Sequence, residues 1–446
     1  MMTTGGSQPS PRRLRLLTVV LALTCGMSAA NLYYAQPVLD LLADDFAVSR
    51  GTASLAVTTG QLGYILGLVF LVPLGDLVEN RRMAAWLLTG ATAALVGAAL
   101  APSLGVFLGA VFVCGAASTV VQILLPLAAH LAPPDRRGET VGRVMSGLLL
   151  GILLGRSVSG FLAGALGWRA VYALSAGAML AVGVVLTRTL PRHQPAVTIG
   201  YPALLRSMAG LLRDEPILRQ RAVYQACMFA TFTLFWTAIG YHLTSAHHLS
   251  QPEIGLFALI GASGAVAAPV AGRLGDRSRG HTATGIALVA ACAAMALSGL
   301  APDSLLALAA AAVVMDIAVQ VTLVTGQTVI YATRPEARAR MNTVFITSFF
   351  LGGAAGSALA GTLFTRWGWS GVAALAAAAP AGAALLWLWH TGRRPGREPR
   401  PHLREEPMAR AAKSADLQHE SVDRDSPGTE ATPAPGAAQT SRLASP

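Results

Sequence analysis

The chain has 446 residues, 53% of them hydrophobic and only 12% charged, with a formal net charge of +11. A soluble protein of this length carries about twice that share of charge, and the mean hydropathy here is +0.54. Apolar runs near twenty residues, each able to cross roughly 30 Å of hydrocarbon, exclude an ordinary soluble domain and predict helices, because a spanning backbone must satisfy its own hydrogen bonds.

In chain order, residues 1–14 are a basic N-terminal segment. Arg12, Arg13 and Arg15, an apolar stretch and Ser28-Ala29-Ala30 have the layout of a secretory signal, but the many later spans favour reading 15–38 as the first transmembrane helix. The pattern then predicts spans over 52–74, 83–101, 104–127, 140–163 and 168–189. Residues 190–220, broken by Pro191, Pro195, Pro202 and Pro216, are the expected linker. Six further spans are predicted over 221–243, 254–273, 282–301, 304–331, 341–364 and 369–390. The expectation is an all-α polytopic membrane protein of twelve helices, in six-helix bundles over 15–189 and 221–390. Residues 391–446 are rich in Pro, Arg, Ser, Glu and Ala, and cannot bury enough apolar surface to fold.

Arginines gather in alternate connections, among them Arg81, Arg82, Arg136, Arg137, Arg219, Arg334 and Arg338, while the opposite connections hold Arg50, Arg169 and Arg366. That asymmetry predicts a bacterial inner-membrane protein with both termini cytoplasmic. The same distribution explains the net charge without nucleic acid. Lys413 is the sole lysine, so no GxxxxGK phosphate loop exists, and if the protein pumps a solute the energy comes from a gradient or a separate subunit. Cys25, Cys114, Cys227 and Cys292 all fall in apolar spans without metal-ligand spacing. Neither metal nor cofactor is expected.

A shift of 201 residues superposes Pro134 on Pro335 and Arg137 on Arg338. It also carries Gly151, Gly155, Gly160 and Gly167 onto Gly352, Gly356, Gly361 and Gly368, and Trp168 onto Trp369. Asp76 meets Asp276 at a shift of 200. The halves therefore read as a duplication, a known plan of membrane carriers.

Polar residues inside the spans are the candidate site, because each is costly in hydrocarbon. Asn31, Tyr34 and Gln36 end the first span; the aromatics Tyr33 and Tyr34 fit an interfacial belt, but Asn31 and Gln36 are too polar for that alone and favour cavity lining. Ser118 and Gln122 share a face of the fourth. Arg156, in the fifth, either points into the protein or snorkels to the outer interface. In the seventh, Tyr224, Gln225 and Trp236 either line a cavity or simply pack. Asp316, Gln320 and Gln327 form one stripe of the tenth at helical spacing. Asp316 reads as a protonation site or counter-ion, or else as a structural carboxylate bonded between helices. His242, His247 and His248 are expected at the outer end in solvent.

Gly272-Arg-Leu-Gly-Asp276-Arg277-Ser-Arg279, and its degenerate partner Gly75-Asp76-Leu-Val-Glu79-Asn-Arg81-Arg82, resemble the loop signature of the major facilitator superfamily. Gly142, Gly151, Gly155 and Ser159-Gly160 resemble the glycine motif of its drug:proton antiporter branch, with Arg156 where that motif has proline. Asn31-Leu-Tyr33-Tyr34-Ala-Gln36-Pro37 is similar to the first helix of bacterial drug- and metabolite-efflux facilitators. The resemblance implies a central cavity among spans one, four, seven and ten, with the loops holding Asp76, Arg81, Arg82, Gly272, Asp276 and Arg277 as a cytoplasmic gate. It implies proton-coupled efflux of a small organic solute by a monomer, although residues 108–118 lack the antiporter motif's arginine. A uniporter or proton-coupled importer, and a non-transporting sensor, are the alternatives. An enzyme would need a nucleophile and base, or metal ligands, clustered at depth.

Overall fold

The structure, a computed structural model, describes residues 11–133, 136–191, 200–261, 263, 280–334 and 337–392. Its first half comprises α1 (Pro11–Ala30), α2 (Leu39–Asp45), α3 (Leu55–Leu66), α4 (Asn80–Ala99), α5 (Leu104–Ala117), α6 (Val120–Leu131), α7 (Arg137–Leu166) and α8 (Trp168–Thr189). After α9 (Tyr201–Asp214), the second half comprises α10 (Pro216–His247), α11 (Gln251–Ala258), α12 (Gly280–Leu300), α13 (Leu305–Thr333) and α14 (Arg338–Gly392). Among the described residues, nine helical segments are long and apolar enough to cross a membrane, with α5 and α6 counted as one. The last of them, α14, is two passes joined at Gly368, whose φ of 60° and ψ of −157° interrupt the helix. Its counterpart Gly167, at φ 83°, makes the same turn between α7 and α8. A left-handed φ at both corners is one reason for glycine there. The shorter α1 occupies the place of the first span; α11 begins the expected eighth, whose residues 264–273 lie outside the described residues.

The duplication is visible in the packing. A Cβ on Gly151 would run into the Gly26 backbone of α1, and one on Gly352 into the Ala226 backbone of α10. Gly155 likewise meets Ala30, as Gly356 meets Ala230. Each half thus closes on itself through the same small-residue seam, where backbones approach because side chains are absent.

Two expectations are corrected. The first helix does not run to Val38: it stops at Ala30. Beyond it the bonds tighten to three-residue spacing, with Leu32 N–H on the Ala29 carbonyl at 3.2 Å and Tyr33 N–H on that of Ala30 at 2.9 Å. Pro37, which has no N–H to continue an α-helix, sits in a single 3-10 turn, Gln36–Val38. Within the expected linker, Pro202 and Pro216 occupy the first turns of α9 and α10. His242 is buried at 5% exposure, stacked on Trp369 at 4.9 Å with Nε2 2.8 Å from the Pro302 carbonyl.

The halves meet tightly at the end carrying residues 36–50, 167 and 248–250, which the arginine asymmetry predicts to be the outer one. There Gly160 of α7 faces Gly255 of α11, and Gly361 of α14 faces Arg50 and Gly51. Tyr241 donates its hydroxyl to the Arg50 carbonyl at 3.0 Å, and the Arg50 side chain pairs with Asp40 at 3.0 Å. Further along the same seam Thr58 and Ser357 share a hydroxyl contact of 2.9 Å, and the Tyr64 and Phe350 rings lie 4.5 Å apart.

Candidate functional site

The glycine seam between α1 and α7 sets where the residues just beyond it point on both helices. Gly155 holds α7 against Ala30, and the next residue, Arg156, enters the interior. At 2% exposure it does not snorkel. The tightened turn after α1 puts Tyr33 against its guanidinium at 4.8 Å, and brings Gln36 Oε1 to accept from Arg156 Nε at 2.7 Å.

The second half supplies the remaining walls. Phe232 and Trp236, one turn apart on α10, place their rings 4.9 and 4.5 Å from the same guanidinium. Trp236 Nε1 donates to Asp316 Oδ1 of α13 at 3.1 Å, so one indole touches both charged groups. Asp316 is 5% exposed. Its other oxygen and the Arg156 head flank a single point beside Gly261: a Cβ there would stand 3.0 Å from Asp316 Oδ2 and 3.3 Å from Arg156 Nη1.

Magnitudes explain how an arginine stays inside. Desolvating a guanidinium costs several kcal/mol. Each cation–aromatic contact returns about 2 kcal/mol when desolvated, and a charge-assisted hydrogen bond about 1.5–3 kcal/mol. Three rings, one amide and a nearby carboxylate offset the penalty together, where no single contact does. Arg156, Asp316 and Trp236 lie ten or eleven residues from the outer ends of their helices, which is roughly 15 Å by the helical rise and therefore near mid-membrane.

The cluster is incompletely satisfied. Among the described residues, Arg156 Nη2 and Gln36 Nε2 are buried without a hydrogen-bond partner, as are both amide atoms of Asn31. A cavity of about 10 Å³ borders Gln36, Arg156 and Trp236, with Leu243, Ile254 and Phe257 among its apolar walls. That volume admits about one water.

The other expected site residues separate. Tyr34 turns into the first half, edge-on to Tyr172 at 6.3 Å. Ser118 donates to the Cys114 carbonyl at 2.8 Å, whereas Gln122 reaches the Tyr64 hydroxyl at 3.2 Å beside the seam between the halves. Gln225 is buried near the Val319 carbonyl at 3.5 Å. Tyr224 lies toward the other end, 3.3 Å from His390 Nδ1. Gln320 is half-buried, and Gln327 donates to Asn342 at 3.0 Å. Arg81 and Arg82 stand in the first turn of α4, after a 3-10 turn that ends at Asp76. Gly272, Asp276 and Arg277 lie outside the described residues.

Sequence reasoning missed Gln61, a buried polar residue of α3 whose Oε1 is unpaired and lies 3.0 Å from where a Gly353 Cβ would be. The rule that selected Gln122 would have found it. It also missed Phe232 and Gly261, for which the sequence carries no signal beyond an apolar and a small residue.

Two duplicated all-helical halves enclosing opposite charges at mid-depth define a membrane carrier. Residues 21–233 and 221–427 each match the sequence profile described as the Major Facilitator Superfamily. The chain is 38% identical over 384 residues to the putative uncharacterized transporter YgaY of Escherichia coli, covering 86% of this chain and 97% of that one. It is 37% identical over 396 residues to the probable transporter SCO4007 of Streptomyces coelicolor, covering 88% and 91%. Among solved structures, a bacterial homologue of the human lysosomal transporter Spinster shares the fold at TM-score 0.67 and 15% identity, covering 86% and 98%. The human organic anion transporter MFSD10 does so at 0.60 and 18%, covering 85% and 100%. The chain belongs to the Major Facilitator Superfamily and is a multi-pass membrane transporter.

Proposed function

We propose that this transporter is secondary active and moves a small organic solute by alternating access, with the Arg156–Asp316 cluster at the pivot between the halves. The carrying observation is that cluster's construction: Arg156 and Gln36 come from the first half, Trp236 and Asp316 from the second. Separating the halves at either end exposes these groups, so solute binding and rocking act on the same contacts. Asp316 is the proton site in this reading, the outer end faces the exterior, and both termini are cytoplasmic. The sequence motifs favour efflux in exchange for protons.

A second reading is favoured by the guanidinium beside the carboxylate. An occluded core crosses the low-dielectric membrane most easily without net charge. With Arg156 positive, neutrality requires either ionised Asp316 and no anionic solute, or protonated Asp316 and a bound monoanion. An anionic solute would then travel in the same direction as its proton.

Counterflow in proteoliposomes tests the transport reading. Trans-loaded solute is expected to accelerate uptake of labelled solute, and replacing both Arg156 and Asp316 is expected to abolish it. Ligand binding without counterflow would instead identify a sensor.

A further inference from the structure

We infer that the Arg156–Gln36 corner is the headgroup subsite for a monocarboxylate with an apolar body. The inference deepens the transport reading above and rests on it. At the Arg156–Gln36 corner the missing partners are acceptors, whereas the Asn31 amide lacks a partner for both its oxygen and its nitrogen. Arg156 Nε already donates to Gln36 Oε1 at 2.7 Å, which leaves Gln36 Nε2 as a donor outside that bond. Arg156 Nη2 is a donor too, and among the described residues both are buried without partners, each in a residue only 2% exposed. Two unfilled donors on side chains already bonded to each other, one of them cationic, call for oxygen acceptors, and a carboxylate supplies two in one plane.

The walls select the rest of the molecule. Beyond Gln36 and Arg156 the cavity is bounded by Trp236, Leu243, Ile254 and Phe257, which offer dispersion and no compensation for a second charge. A dianion would leave one carboxylate without a cation, at a cost of several kcal/mol. A cation would face Arg156 at close range. The free volume of about 10 Å³ admits a headgroup-sized atom and not a ligand body. The body therefore enters only as the halves separate, along the wall that α10 and α11 form. Water in the cavity would satisfy the same donors in the resting state and would be displaced by the ligand's oxygen, which reproduces its hydrogen bonds.

The experiment uses purified full-length protein with benzoate, benzamide and benzylamine as probes of equal shape and different charge. Thermal stabilisation and calorimetric titration are expected to show benzoate binding at millimolar concentration, with benzamide at least about tenfold weaker and benzylamine without effect. Arg156→Lys keeps the charge but loses the fork, and is expected to weaken benzoate about tenfold. Gln36→Leu removes the second donor and is expected to weaken it severalfold. This variant keeps the test decisive if substitutions at Arg156 prevent folding. Equal binding of benzamide, no binding of benzoate, or benzoate affinity unchanged in folded Gln36→Leu overturns the assignment. Benzoate that binds by these rules without counterflow leaves the subsite standing and removes the transport reading. Counterflow of benzylamine but not benzoate does the reverse.

Discussion

At the scale of single residues, Gly261 offers a probe that touches no charge yet crowds two. Gly261→Ala would put a methyl within 3.0 Å of Asp316 Oδ2 and 3.3 Å of Arg156 Nη1. Contacts this close require the neighbours to move a few tenths of an ångström, and charged groups held by an indole and an amide yield less readily than apolar ones. The expected outcome is at least about tenfold slower transport, equivalent to about 1.4 kcal/mol, with melting temperature lowered by a few degrees at most. Transport rates and thermal unfolding in the same detergent check it. The charges themselves were legible in the sequence, because an arginine or aspartate within an apolar span is too costly to be incidental. Their partners were not. Phe232 and Trp236 look like ordinary packing in a linear chain, and only the fold shows a guanidinium against both rings. His242 misled for a related reason: its position at a helix end implied solvent, while Trp369 from a distant pass covers it.

At the scale of elements, the glycine seams are a matched pair of tests. Gly151→Val and Gly352→Val push side chains into the backbones of Gly26 and Ala226, at positions related by the duplication. Overpacking costs about 1–3 kcal/mol when neighbours can shift, and backbone shifts less readily than side chains. Each variant is expected to lower folded yield and melting temperature by similar amounts, measured by size-exclusion chromatography and thermal unfolding. Gly177→Val, where nothing lies within 4 Å of the Cβ position, is expected to be near neutral. These seams were legible because spacing alone carried them across 201 residues. Helix ends were less so. The apolar run continues past Ala30, but local hydrogen bonding tightens there and turns Tyr33 and Gln36 toward Arg156. Tyr34 joins the aromatic packing of the first half instead of the charged cluster. Periodicity measured at 100° per residue cannot anticipate a local change to the 120° of a 3-10 turn.

At the scale of the whole molecule, alternating access requires the outer end to open. Gly51 and Thr362 face one another there across the halves, a Gly51 Cβ standing 3.0 Å from Thr362 Oγ1. With Cys25, Cys114, Cys227 and Cys292 replaced, Gly51→Cys and Thr362→Cys together are expected to form a disulfide under mild oxidation. Solute flux is then expected to stop and to recover on reduction. Full flux in the cross-linked protein would show that this end need not separate. The two-bundle plan was readable from composition, arginine asymmetry and the repeat, each a consequence of membrane physics acting on every span. How the halves face one another was not readable, because it depends on contacts between residues hundreds of positions apart, such as Thr58 with Ser357.

The most direct test of the central claim separates net movement from exchange in Asp316→Asn. An amide at this position retains the acceptor for Trp236 Nε1 but cannot release or take a proton. Proteoliposomes holding this variant are expected to keep solute counterflow while losing accumulation driven by an imposed proton gradient, the parent showing both. Undiminished gradient-driven accumulation by Asp316→Asn would contradict the account, because the coupling proton would then bind elsewhere.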